Sequence, residues 1–240
     1  MKASTNAAGP PNALLEALQA EERELLEAHL QVVRLKRGDV LGEPDQPITQ
    51  VYFPHDAVVS LTVATADGET AEAATIGREG MVGFVAAFGD RRAFARSLVQ
   101  VTGRATRLPL ARLEAAFERY PRVRELCLAY VQALLGQALQ SVACGTLHPA
   151  EMRLARWLLM LHDRATRDEL QLTHDFLASM LGVRRATVAV ALAGMRKAGL
   201  VTQRRGSIVI ADRAGLEARS CECYRVVQAY HARVLPYGST

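Results

Sequence analysis

The stretch Thr173–Leu192 reads THDFLASMLGVRRATVAVAL, with the spacing of two short helices folded across a tight turn. Leu177, Leu181, Val183, Val188 and Ala191 fall at the positions that such a pair buries. Ala178 is small where the helices cross, and Gly182 supplies the turn, where a positive φ is cheap. Thr173 is placed to cap the first helix by accepting from a backbone N–H. Arg184 and Arg185 open the second helix, where the macrodipole is positive and a cation costs from a few tenths to about 1 kcal/mol. Two arginines there make sense against an anion: a DNA phosphate, or the guanine O6 and N7 that an arginine reads in the major groove. Thr187 is placed for a phosphate or a thymine methyl. A purely structural helical hairpin would share the buried pattern; the arginines favour DNA.

The chain continues as LVTQRRGSIVIAD over 200–212. Two β-prone segments, Leu200–Gln203 and Ser207–Ala211, flank Arg204-Arg205-Gly206. After a recognition helix such a hairpin is a wing, with Arg204 and Arg205 against the DNA backbone; a solvated hairpin tip is the alternative. Charge follows the same division. Residues 1–150 carry 15 Lys/Arg against 17 Asp/Glu, whereas 151–213 carry 11 against 6. Basicity concentrated in one short module is the footprint of a surface that meets phosphates.

Upstream the texture is different. Asn12–His29 spaces leucines and glutamates as a helix does. From Gln31 to Leu108 come short β-type runs broken by turn residues: Val32–Leu35, Val51–Phe53, Val58–Val63, Thr70–Ile76, Ser97–Thr102 and Ala105–Leu108. Asp67-Gly68 is a hairpin signal between the third and fourth. These runs predict an antiparallel β-roll over 13–120. A short helix follows Pro109, and Pro121 opens a long one over 121–147. In it Leu128, Val131, Leu135, Ala138 and Val142 form a coiled-coil seam, beside which Cys127, Tyr130 and Leu134 make a second apolar face. One face can cover the roll; a partner's identical helix is the better explanation of the other, against burial within one domain. His148-Pro149 begins the DNA-binding segment, 148–213, and a helical extension occupies 214–240. Overall the class is α+β.

Residues 1–12 lack the hydrophobic core of a signal peptide and are expected to form a disordered arm. No apolar run is expected to reach the roughly 18–20 residues that span a membrane, so the location is expected to be cytoplasmic. Disulfides are then unexpected among Cys127, Cys144, Cys221 and Cys223. Cys221-Glu-Cys223 invites a metal, but no CxxC pair or matching histidine accompanies it, and packing is the preferred reading. No metal and no cofactor are identified.

The order of roll, long helix and winged helix-turn-helix resembles the cyclic-AMP receptor/fumarate-nitrate regulator (Crp–Fnr) family. So do GREGMVGF over 77–84, RLARWLL over 153–159 and LASMLGVRRATV over 177–188. The resemblance implies a cyclic-nucleotide-binding-like roll, dimerisation through the long helix, effector-controlled DNA binding and contact with RNA polymerase. It also carries departures. Cyclic-AMP binders of the family place a ribose-holding glutamate after the glycine matched by Gly83; here Phe84 stands there. Their phosphate-holding Arg-Ser pair is matched in position by Phe94-Ala95, and Arg96-Ser97 is displaced into a strand. The oxygen-sensing branch uses an N-terminal cysteine cluster, yet no cysteine precedes Cys127. Haem sensing needs axial ligands, and His55 is the only histidine between Gln31 and Leu108. Arg185 and Thr187 match the family's recognition helix, while Ala186 and Val190 replace a base-reading glutamate and arginine.

A DNA-binding regulator acting as a homodimer on a pseudo-palindromic operator is the expected function, with an effector other than cyclic AMP. The alternative is a cyclic-nucleotide-responsive regulatory protein without sequence-specific DNA binding. An enzyme is disfavoured: a metal-binding barrel needs several converging histidines, and no phosphate-cradling loop or nucleophile motif is present.

Overall fold

The computed structural model describes residues 11–165 and 167–236. The expected N-terminal arm lies outside the described residues as far as residue 10, and Asn12 belongs to the fold. It is fully buried and caps α1 (Ala13–Glu16) by accepting from the Leu14 and Leu15 amides. Its own amide donates to the carbonyls of Pro54 (2.9 Å) and Gly80 (2.8 Å), pinning the start of the chain to the roll. The single helix expected from Asn12 to His29 is two, because Gln19 and Glu22 form a capping box that starts α2 (Ala20–Glu27) afresh.

The roll is built from β1 (Gln31–Leu35), β2 (Val40–Gly42), β3 (Gln50–Pro54), β4 (Val58–Ala64), β5 (Thr70–Ile76), β6 (Arg96–Val101) and β7 (Gly103–Pro109). They form two antiparallel sheets, β1-β7-β3 and β2-β6-β4-β5, with the core between them. The β4–β5 hairpin turns at Asp67-Gly68, where Gly68 takes φ 82°. Gly103 lets the chain pass from one sheet to the other, since a Cβ there would lie 2.3 Å from the Ala57 nitrogen. β4 is buried on both faces from Val58 to Thr62, which explains why its sequence does not alternate. Val59 and Leu61 face the roll core, whereas Val58 packs with the C-terminal core.

α3 (Leu110–Arg119) leads to α4 (Pro121–Leu147), the bounds expected for the long helix. By length and composition α4 would suffice to cross a membrane, so the expectation that no run is long enough fails there. The reason is its two apolar faces. Leu126, Tyr130 and Leu134 enter the roll core, and a second face carries the exposed Leu128, Leu135, Leu139 and Val142.

α5 (Ala150–Arg164) is buried on nearly every side. It is followed by β8 (Glu169–Leu170), α6 (His174–Leu181), α7 (Arg185–Lys197), β9 (Val201–Arg204), β10 (Ser207–Ile210), α8 (Arg213–Arg219) and α9 (Cys223–Val234). The segment expected as a helical extension is helical in α8 and α9 and packs into the cores. Leu216, Tyr224 and Val227 pack with α5 and α6, Leu235 enters the roll core, and Tyr230 lies against Gly136 of α4.

Arg164, at the end of α5, joins these parts. It and Glu79 of the 77–80 loop form a buried ion pair at 2.8 Å. Arg164 also donates to the Met160 carbonyl (2.9 Å) and to Gln137 Oε1 of α4 (3.5 Å), and Glu79 accepts from the Gly77 amide (3.1 Å). Burial is the largest influence and pushes the Glu79 carboxyl up, but the Arg164 charge, His231 and the hydrogen bonds to the carboxylate together hold Glu79 below the ordinary carboxylate value. Glu79→Gln should therefore cost about 3–5 kcal/mol, because it strands Arg164 without a counter-charge. Urea unfolding at neutral pH checks this; a loss under about 1 kcal/mol would make the pair incidental. A depressed folded-state value means that the contribution is present above the ordinary carboxylate range and lost as pH falls through the folded value. The variant's stability should accordingly fall less steeply in acid than the parent's.

Candidate nucleic-acid interface

α6 and α7 diverge by 108°, within the range of a helix-turn-helix pair. The turn forms because Gly182 ends α6 in the left-handed region (φ 59°). Leu177, Leu181, Val188 and Ala191 are buried as expected, with Val183 partly buried at the turn. Thr173 caps α6, its hydroxyl accepting from the Phe176 amide at 3.3 Å. That leaves the Thr173 hydroxyl hydrogen to donate outward.

Arg184 is the N-cap of α7 and its side chain makes no capping bond, while Arg185, Ala186 and Thr187 are exposed in the first turn. With Arg184, these residues surround the positive end of the helix. Arg185 is paired with Asp175 at 3.2 Å, and both side chains are about 70% exposed (69% and 75%). Such a surface pair is worth little, so exchanging Asp175 for a phosphate or a base edge is cheap. Farther along, the exposed face carries the apolar Val190 and Ala193.

The wing is the β9–β10 hairpin, whose third strand is β8. Arg204 pairs with Ser207 across the Arg205-Gly206 turn, where Gly206 takes φ 78°. Arg204 and Arg205 are exposed, and Arg204 lies 3.6 Å from Glu169. A 2.7 Å hydrogen bond between Gln203 of β9 and His174 ties the wing to the first turn of α6. A bond spanning 29 positions leaves no local signal in the sequence, so neither residue stands out there.

The residues expected to form a coiled-coil seam divide by exposure. Leu128, Leu135 and Val142 are exposed, at 41%, 56% and 68%. Val131 and Ala138 are half-buried, Val131 against the roll core. Leu139, missed beside Ala138, is 62% exposed and belongs to the stripe.

At the place where the resemblance implies a nucleotide, the roll holds a cavity of about 20 Å³ lined by Leu61, Ile76, Met81, Phe84, Ser97 and Leu134. Ligand sites usually span roughly 300–1,000 Å³. Phe84 is buried in the core with its ring 5.1 Å from that of Tyr130. The lining holds no charged side chain, and Arg96 points outward into a pair with Glu43 at 2.6 Å. His55 is bonded to Thr106 (2.8 Å) and is not part of that lining. Burial, then the nearby Arg104 charge, lowers its pKa.

A second group of side chains gathers where the sequence predicted only packing. Cys144, His148, Cys221 and Cys223 place their ligand atoms within 4.8 Å of one another. The missing histidine of the sequence argument is His148, 73 to 75 positions away along the chain from the Cys221-Glu-Cys223 pair.

Residues 32–120 match the cyclic nucleotide-binding domain family and residues 152–219 the Crp-like helix-turn-helix domain family. Solved structures with the same fold include FixK2 from Bradyrhizobium japonicum, at 18% identity and TM-score 0.68, covering 80% of this chain and 98% of that one. The c-di-GMP-responsive global regulator CLP from Xanthomonas campestris is similar at 17% identity and TM-score 0.64, over 80% and 99%. A CRP/FNR-family transcriptional regulator from Thermus thermophilus is similar at 21% and 0.61, over 79% and 98%. No curated protein matches the sequence. With a cyclic nucleotide-binding-like roll, a long helix and a Crp-like helix-turn-helix in this order, the chain belongs to the Crp–Fnr family of DNA-binding transcription regulators.

Proposed function

We propose that the protein is a cytoplasmic homodimer, joined along α4, that binds a pseudo-palindromic operator and contacts RNA polymerase there. The observation that carries this is the exposed apolar stripe of Leu128, Leu135, Leu139 and Val142 on the helix preceding the DNA-binding segment. Two α4 helices packed in parallel along it would set the recognition helices about one DNA turn, roughly 34 Å, apart. Arg185, with Thr187, reads a base in each half-site. Thr173, Arg184, Arg204 and Arg205 bind phosphates. The signal acts on the roll and is not cyclic AMP, because a cavity of about 20 Å³ lined by Phe84 and by no charged side chain has neither room for a ribose nor a cation for a cyclic phosphate. No catalytic role is assigned, in keeping with a family of regulators.

Replacing Leu135 and Leu139 with Glu should give monomers that bind operator poorly. These positions are preferable to Val131, whose half-buried side chain also supports the roll. A double variant that still sediments as a dimer would remove α4 as the interface.

Arg185→Ala should cost about 1–3 kcal/mol per half-site and relax preference at one base position. Arg204→Ala or Arg205→Ala should weaken binding to all sequences alike and flatten the salt dependence by about one unit of slope per lost contact. Titrations against single-base operator variants at several salt concentrations separate the two. An even loss across every variant for Arg185→Ala would reduce it to a phosphate contact.

Calorimetry with cyclic AMP should detect no binding at physiological concentration, and micromolar affinity would refute the reading of Phe84.

A further inference from the structure

We propose that Cys144, His148, Cys221 and Cys223 bind a single zinc ion that ties the end of α4 to the start of α9. The donors are the soft and borderline ligands that zinc takes in closed Cys₃His structural sites. Their spacing fits a tetrahedron. Zn–S of about 2.3 Å and Zn–N of about 2.0–2.1 Å require S···S near 3.8 Å and S···N near 3.5 Å. The Cys144 and Cys221 sulfurs are 3.5 Å apart, and Cys223 Sγ lies 3.4 Å from His148 Nδ1. Four donor atoms within 4.8 Å of one another leave room for one ion and not for an iron–sulfur cluster.

The site is built from local geometry at both ends. Cys144 and His148 are four positions apart where α4 ends, so they share a face, and the His148 amide donates to the Cys144 carbonyl at 3.2 Å. Cys221 and Cys223 flank the N-terminus of α9, whose dipole favours thiolate. The three thiols are buried, at 0–1% exposure. Buried thiols in an apolar site would pack as small hydrophobes, but this site is not apolar beyond its first layer.

Outer groups complete the arrangement. His148 Nε2 lies 3.2 Å from the Glu222 carboxylate, which orients the ring so that Nδ1 faces the sulfurs. Gln140 donates its amide to Cys223 Sγ at 3.0 Å. Arg156 is 7% exposed, makes no ion pair among the described residues, and its Nε has no hydrogen-bond partner. Three thiolates, a neutral histidine and a divalent ion sum to a charge of −1, the counter-charge that a buried guanidinium otherwise lacks. The ion sits where α4 gives way to α5 through His148-Pro149, the joint between the dimer helix and the DNA-binding segment.

The test uses the full-length chain purified under reducing conditions and its metal content. One zinc per chain is expected, retained on gel filtration. Exchange with Co²⁺ should give the visible absorption of a tetrahedral cobalt–thiolate centre. Cys221→Ser with Cys223→Ser should abolish both, while His148→Cys should keep the ion in an all-sulfur site. Glu222→Gln should weaken zinc binding about 10–100-fold without removing a ligand. Chelation should lower the melting temperature of the parent and leave that of the double serine variant unchanged. Failure of the reduced parent to hold or regain zinc, or to give the cobalt spectrum, would overturn the proposal whether or not the variants fold. So would a Cys144–Cys221 disulfide in the metal-free protein as isolated, or undiminished zinc in the double serine variant.

Discussion

The Arg164–Glu79 pair is the buried contact that ties the roll, α4 and α5 to one another. Taking two charges out of water is expensive, and apolar replacements of similar volume are often neutral or stabilising, so the pair is a poor device for stability alone. What it supplies is position. Arg164 closes α5, Glu79 sits in the 77–80 loop of the roll, and Gln137 of α4 joins them, bonding onward to the Thr75 carbonyl at 3.0 Å. Each partner has one geometry in which its hydrogen bonds are met. The glycines around Glu79 serve that geometry: a Cβ at Gly77 would lie 2.6 Å from Arg164 Cγ, and one at Gly80 2.1 Å from the Tyr130 ring. The GREG run is therefore a docking surface for an arginine and a tyrosine from other elements.

A second polar clamp acts beside it. Glu72 on β5 accepts from Trp157 Nε1 of α5 at 3.0 Å and from Thr75 at 2.6 Å, and Ser60 also donates to it. The Trp157 ring meets Phe176 of α6 edge-on, and Arg37 lies over the other ring at 5.2 Å. The DNA-binding helices are thus seated on the β4–β5 side of the roll through matched polar and aromatic contacts. The same wall reaches the interior cavity, since Ile76 and Phe84 line it and Phe84 touches Tyr130. β5 thus contributes both to the cavity lining, through Ile76, and to the seat of the DNA-binding helices, through Glu72.

What the sequence made legible was set by local periodicity. The bounds of α4 and β5 follow from Pro121, the turn at Asp67-Gly68 and the residues between them; the helix-turn-helix follows from Gly182 and its flanking apolar spacing. Elements whose justification is distant were missed. Asn12 looks like the end of a polar arm, and only the carbonyls of Pro54 and Gly80 make it a buried cap. β2 is three residues long and owes its existence to pairing with β6. The C-terminal helices read only as a helical extension because Leu216, Tyr224 and Leu235 each belong to a core supplied by other segments. The thiol cluster was hidden for the same reason, its two halves being 77 residues apart from Cys144 to Cys221.

α4 shows how far these constraints reach. At 100° per residue, Leu126, Tyr130, Leu134 and Gln137 lie toward one side, facing the roll and Thr75. Gly136 and Gln140 occupy the adjoining sector, where Tyr230 and Cys223 of α9 pack. Both sectors are closed within the chain, by buried side chains and specific hydrogen bonds. Leu128, Leu135, Leu139 and Val142 fall about 150° around from the first group, and among the described residues nothing covers them. No charged residue interrupts α4 after Glu125, although an exposed helix face ordinarily carries charges. After Glu125 the exposed side of α4 is therefore mostly apolar, and it is this stripe on which the proposed pairing of two α4 helices rests.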